Sequence, residues 1–124
     1  MTFLERFLAG EIQPQDFRHA DHVRAGYELL ARKDFLDAAA LYCRVLQRMT
    51  ARAGKPEPFH LTITLAFLSL IAERAELGAH ASFEDFASAN PDLMDKSVLA
   101  RWYTPERLNG MAARRGFVLP DRAC

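Results

Sequence analysis

Three histidines carry the chemistry that this sequence offers. His19 and His22 stand three apart in "FRHADHVRAGYELL". On a helix that spacing puts both imidazoles on one face, with Val23, Gly26, Tyr27 and Leu30. His60 opens "HLTIT" at the first turn of another helical stretch, sharing its face with Thr64, Phe67 and Ile71. A helix start disfavours a charged imidazole, and the neutral ring is the form that binds a metal or accepts a proton. If the two helix starts are adjacent, His19, His22 and His60 converge with an open fourth position. That is a donor set for one divalent transition metal (zinc, iron, copper or manganese), whose bound water would be the reactive species. Asp21 turns away from this face and is expected to pair with Arg18 or Arg24 at the edge of the site.

The other reading of the same residues is structural. Two histidines three apart are a far weaker signal than H-E-x-x-H or paired C-x-x-C. A histidine inside a fold commonly bonds to a backbone carbonyl or a tyrosine, and His60 could simply hold the chain ahead of its helix. His80, in "GAHAS", is expected to be solvated. Both readings stay open on sequence, as does the question of whether the chain is an enzyme.

Around the histidines lie candidates for a small-molecule pocket. Tyr27, Trp102 and Tyr103 could line one, although aromatics at helical spacing usually belong to a core. Thr64 shares the face of His60. Glu73 forms a polar stripe with Thr62 and Ser69, either a proton relay or a solvated edge of an otherwise apolar helix. Cys43 sits among Ala39, Val45 and Leu46, which argues against a reactive thiolate. Cys124, the last residue, is expected to be mobile. The glycines are scattered singly, so there is no phosphate-binding loop, and no serine lies in a G-x-S-x-G turn.

The elements that must position these residues are helical. Thr2 with Glu5 reads as a capping box, closed by Gly10. The His-bearing helix runs from about 17 to 32, and Asp34 caps a third whose apolar positions recur every three and four residues to Met49. Gly54 and "KPEP" end it. A fourth helix, about 59 to 77, is apolar on most faces and so is expected to be the central element. Gly26 costs about 1 kcal/mol of helix propensity, offset if that central helix approaches closely. Ser82 with Asp85 caps a fifth helix, Asn90-Pro91 starts a sixth through Tyr103, and Thr104-Pro105-Glu106 starts a seventh. The tail "GFVLPDR" is expected to be extended and to pack through Phe117 and Leu119. No alternating pattern is long enough for a sheet. The fold expected over residues 1–124 is one all-α domain, a compact bundle of six or seven short helices around a central apolar one.

Composition bounds the partners. Lys plus Arg and Asp plus Glu each total 16 in 124 residues, so the basic excess of a nucleic-acid binder is missing. "AARR" at 112–115 reads as the last turn of a helix. The longest apolar run, Leu61 to Ala72, is interrupted by Thr62, Thr64 and Ser69 and is too short to span a bilayer. No segment reads as a signal peptide, and two cysteines make no disulfide framework, so a reducing cytoplasm is expected.

"FRHADHVRAGYELL", "FHLTITLAFLSLIAER", "NPDLMDKSVLARWYTPERL" and "ARRGFVLPDR" together resemble a family of small bacterial all-helical proteins with no assigned activity. The resemblance covers about Phe17 to Arg122. It implies a helical domain in which the His-x-Asp-His, His-x-Thr-x-Thr and Phe-Val-Leu-Pro-Asp stretches belong together. The chain departs from that family at Ala20, where arginine is commoner, and at Gly26, where a bulkier residue is usual, so the pocket would be shaped differently. Gly26 to Met49 also resembles a single tetratricopeptide-type hairpin, but no second copy follows 34 residues on, and one repeat cannot bury a continuous core. Two functions remain: a His-based metal site that binds or acts on a small molecule, or a non-catalytic interaction or homodimerisation module with structural histidines and an exposed apolar patch.

Overall fold

A computed structural model describes residues 1–54 and 59–122; "KPEP" and the expectation made for Cys124 lie outside them. Seven α-helices and no strand occur among the described residues: α1 Phe3–Ala9, α2 His19–Arg32, α3 Phe35–Ala53, α4 Leu61–Leu77, α5 Phe83–Ala89, α6 Pro105–Asn109 and α7 Met111–Arg115. None is long and apolar enough to cross a membrane.

Most boundaries follow from local hydrogen bonding. Thr2 and Glu5 close the capping box on α1, and Gly10 ends it at φ 74°, a left-handed turn that costs glycine nothing. Asp34 accepts from Asp37 N–H at 2.8 Å to start α3. Ser82 caps α5 and Thr104 caps α6 in the same way.

Two expectations are corrected. The segment after Asn90-Pro91 is not one helix but two 3₁₀ turns, Pro91–Met94 and Val98–Arg101. Between them the Asp95 carboxylate takes both the Ser97 N–H and its hydroxyl, at 2.9 and 2.7 Å, which diverts the chain from helical bonding. The tail is extended, but Phe117 and Leu119 are 49% and 69% exposed. Val118 is the residue that packs inward.

The central position of α4 is confirmed: it packs against α2, α3 and α7. With α2 it divides the apolar interior in two. Ala25, Leu29 and Leu68 join α1 and α3 on one side, while Val23, Phe67 and Ile71 join α5 and the 3₁₀ turns on the other. Gly26 is where the two helices touch. A Cβ there would lie 3.0 Å from Leu68 Cδ1 and 3.1 Å from Ile71 Cδ1, so the close approach expected for this glycine is present. Arg74 ties α4 to the end of α5, donating to Asn90 at 3.0 Å and to both carboxylate oxygens of Asp92.

Candidate functional site: a neutral cavity at His22

The starts of α2 and α4 do meet, but their histidines face different surroundings. At the start of α2, Asp21 accepts from the Arg18 backbone N–H at 2.9 Å. That backbone bond is the contact the structure gives Asp21, rather than a pairing with the Arg18 or Arg24 side chain. His19, one turn from His22 with ring centroids 6.4 Å apart, meets other neighbours. Its Nε2 donates to Leu93 O at 2.8 Å, and its ring meets Phe67 edge-on at 5.0 Å.

His60 is the N-cap of α4 rather than a member of it. Its Nδ1 accepts from Ile63 N–H at 3.1 Å, so Nε2 carries the proton and donates to Leu108 O at 2.7 Å. Both nitrogens are thereby engaged. The Thr64 hydroxyl donates to His60 O at 2.7 Å. One side chain thus closes the helix start and joins it to α6, which is the structural role the sequence left open for it.

Of the three candidate histidines, His19 and His60 have hydrogen-bonded rings, whereas the His22 ring has no hydrogen-bond partner among the described residues. No fully buried polar side-chain atom is left unpaired there, so its nitrogens open into the adjoining cavity. That cavity measures about 320 Å3, near the lower end of ligand-sized pockets. Pro14 and Phe17 wall it from the segment before α2; Leu46, Met49, Thr50 and Ala53 from α3; Phe59, His60 and Thr64 from the start of α4. Phe17 packs on the His22 ring at 4.5 Å, edge to face. Burial first, and the neighbouring His19 second, pull the His22 imidazole down to a pKa of about 4, against a smaller upward pull from Asp21. The ring is therefore neutral at pH 7.

The cavity's polar inventory is short. The Thr50 hydroxyl donates to Gln47 O at 3.0 Å and that of Thr64 to His60 O, so each retains only acceptor capacity. His22 offers one donor and one acceptor. None of the described wall residues is a lysine, arginine, aspartate or glutamate.

The remaining candidates lie elsewhere. Tyr27 packs at a tilt against Phe86, ring centroids 4.4 Å apart, and borders a different depression with Phe35 and Ala75. Glu73 and Tyr103 share a cleft on another face of α4. Thr62 is separated from Ser69 and Glu73 in function: it is fully buried and bonds the tail, donating to Gly116 O and accepting from Val118 N–H. Among the described residues no three His, Cys, Asp or Glu side chains are grouped so as to hold a metal ion. Cys43 is half-buried with its thiol pushed up by burial, in line with an unreactive role. His80 packs edge-on against Phe86 at 5.4 Å rather than standing free in solvent.

The sequence reading missed the contribution of α3. Leu46, Met49, Thr50 and Ala53 fall at helical spacing, and Thr50 interrupts that apolar stripe with a hydroxyl. A polar residue continuing an apolar face was the available signal. No protein-family model, curated protein or solved structure matches the chain, so its function is argued from this geometry.

Proposed function

We propose that the chain is a small-molecule-binding helical protein whose cavity takes a neutral, largely apolar ligand bearing one hydroxyl or amide group. The observation that carries this reading is the unbonded, uncharged imidazole of His22 on a wall whose described residues include no Lys, Arg, Asp or Glu. Among the described wall residues an anionic ligand would find no Lys or Arg, and a cationic one no carboxylate. A hydroxyl could donate to His22 or to either threonine and accept from His22, while Phe17, Leu46, Met49 and Phe59 take the apolar body.

Three isosteric probes test this: benzyl alcohol, benzoate and benzylammonium, titrated into the 15N-labelled protein. Benzyl alcohol should move the amide resonances of Phe17, His22, Thr50 and Thr64, and His22→Leu should weaken that binding several-fold. Benzoate should leave those four unmoved. Equal binding of all three probes there, or no response to any, would defeat the proposal. Metal content measured on the same samples addresses the metal reading. Zinc, iron, copper or manganese bound one per chain and lost in both His19→Ala and His60→Ala would replace the neutral ligand by a metal centre.

The interaction reading has one observation in its favour. Leu36 and Leu77 are 79% and 84% exposed, beside a depression bordered by Phe35, Glu76 and Gly78. A dimer at micromolar concentration that Leu36→Lys or Leu77→Lys disperses would favour it; a monomer by sedimentation would count against it.

A further inference from the structure

The geometry points to a binding site for a small organic ammonium ion in the cleft between α4 and the tail, where the Glu73 carboxylate shares its walls with Trp102, Tyr103 and Phe117. The cleft holds about 240 Å3, room for a substituted ammonium head rather than for a large ligand. Glu73 is the only formal charge on its wall among the described residues, and Ser69, one helical turn earlier, adds a hydroxyl.

The carboxylate has no ion pair or hydrogen bond among the described residues, although three arginines lie nearby. Each is held by another partner. Arg74, the neighbour of Glu73 in sequence, is spent on Asn90 and Asp92. Arg101 lies over the Trp102 ring at 4.8 Å and reaches Asp92 at 3.3 Å, and it is not part of the cleft wall. Arg107 donates to Leu119 O at 3.1 Å. Glu73 and Arg74 attract each other only through space, and no cationic side chain lines the cleft among the described residues.

The aromatic wall is fixed in place at both ends. Val118 N–H donates to the buried Thr62 hydroxyl at 3.1 Å, and the Tyr103 hydroxyl donates to Val118 O at 2.9 Å. Three residues on, Asp121 accepts from the N–H and hydroxyl of Thr104 at 2.9 and 2.7 Å, while Asp121 and Arg122 N–H both donate to Trp102 O. Phe117, between Gly116 O (bonded by the Thr62 hydroxyl) and Val118, and Pro120, between Val118 and Asp121, line the cleft. This accounts for an extended tail that leaves a phenylalanine half in solvent. A carboxylate beside aromatic faces attracts an alkylammonium through charge and through the ring quadrupoles together.

Trp102 is the only tryptophan in the chain, so its fluorescence reports on this cleft. Choline should change the emission saturably. Its neutral isostere 3,3-dimethylbutan-1-ol and the variant Glu73→Gln with choline should each bind roughly five- to tenfold more weakly. Phe117→Ala should weaken choline binding while leaving the helical circular dichroism intact, which separates a lost wall from a lost fold. No saturable response to choline, equal affinity for the neutral isostere, or undiminished binding in Glu73→Gln would overturn the assignment. The His22 cavity plays no part in this test, since His22→Leu should bind choline as the parent chain does.

Discussion

Acid should weaken the fold through His22, by an amount its surroundings set. Burial and the proximity of His19 lower this imidazole from 6.5 to about 4; in the unfolded chain it returns to the ordinary value. Between those limits the unfolded state binds a proton that the folded state refuses. Stability therefore rises with pH across the window, is fully present above about pH 6.5, and is lost as the pH falls toward 4. At about 1.4 kcal/mol per pH unit the whole displacement is worth about 3 kcal/mol, of which about 2 kcal/mol should disappear between pH 7 and pH 5. Three displaced aspartates act below this range. Asp92, Asp95 and Asp121 are all held below their ordinary 3.8 by hydrogen bonds from Arg74, Ser97 and Thr104. Their stabilisation is present above 3.8 and is lost only as the pH falls further, toward and through their lowered values. Urea unfolding followed by circular dichroism at pH 7 and pH 5 gives the measurement, with His22→Leu as the non-titrating control. The parent chain should lose about 2 kcal/mol and the variant less than about half as much. Equal losses in the two, or an NMR titration placing the His22 ring near 6.5, would refute both the argument and the neutral wall on which the proposed ligand depends.

Two further substitutions test how α4 is held. Gly26→Ala gains about 1 kcal/mol of helix propensity but drives a methyl to 3.0 Å from Leu68, which, like Ile71, is fully buried. Overpacking of about 1–3 kcal/mol should win, lowering the urea midpoint by the equivalent of about 1 kcal/mol; a stabilised variant would show that the helices can move apart freely. Thr62→Val keeps the shape and leaves Gly116 O and Val118 N–H without their partner. It should cost about 2 kcal/mol and speed hydrogen exchange at Val118, and unchanged exchange there would mean that the tail is held by other contacts.

What was legible in the sequence was local. Thr2, Asp34, Ser82 and Thr104 mark their helix starts because a cap bonds to an amide within three residues. Gly26 signalled close packing because a glycine within an apolar helical stripe needs compensation. The tail failed on parity. In an extended chain alternate residues face opposite ways, so choosing Phe117 and Leu119 as the inward set reverses the true one. The Thr62 bond to Val118 N–H that decides it spans 56 residues. The histidines failed similarly. His19 and His22 share a helical face, with ring centroids 6.4 Å apart. One then meets Leu93, 74 residues away, and the other opens on α3. Spacing gives the face, but it does not give the neighbour.

The polar interruptions of α4 explain why so short a chain can hold two chemically distinct recesses. A wholly apolar central helix would be sealed by its neighbours on every side. Here Thr64, at the first turn, borders the uncharged cavity of His22, while Ser69 and Glu73, on another strip of the same helix, border the cleft closed by the tail. Phe67, Leu68 and Ile71 run between them into the two halves of the core. Because that wall is packed in place, neither recess needs the other to be filled. Benzylammonium should accordingly leave the Phe17, His22, Thr50 and Thr64 amides unmoved and shift those of Glu73 and Trp102. If it moved the first set instead, the division of charge between the two sites would be wrong.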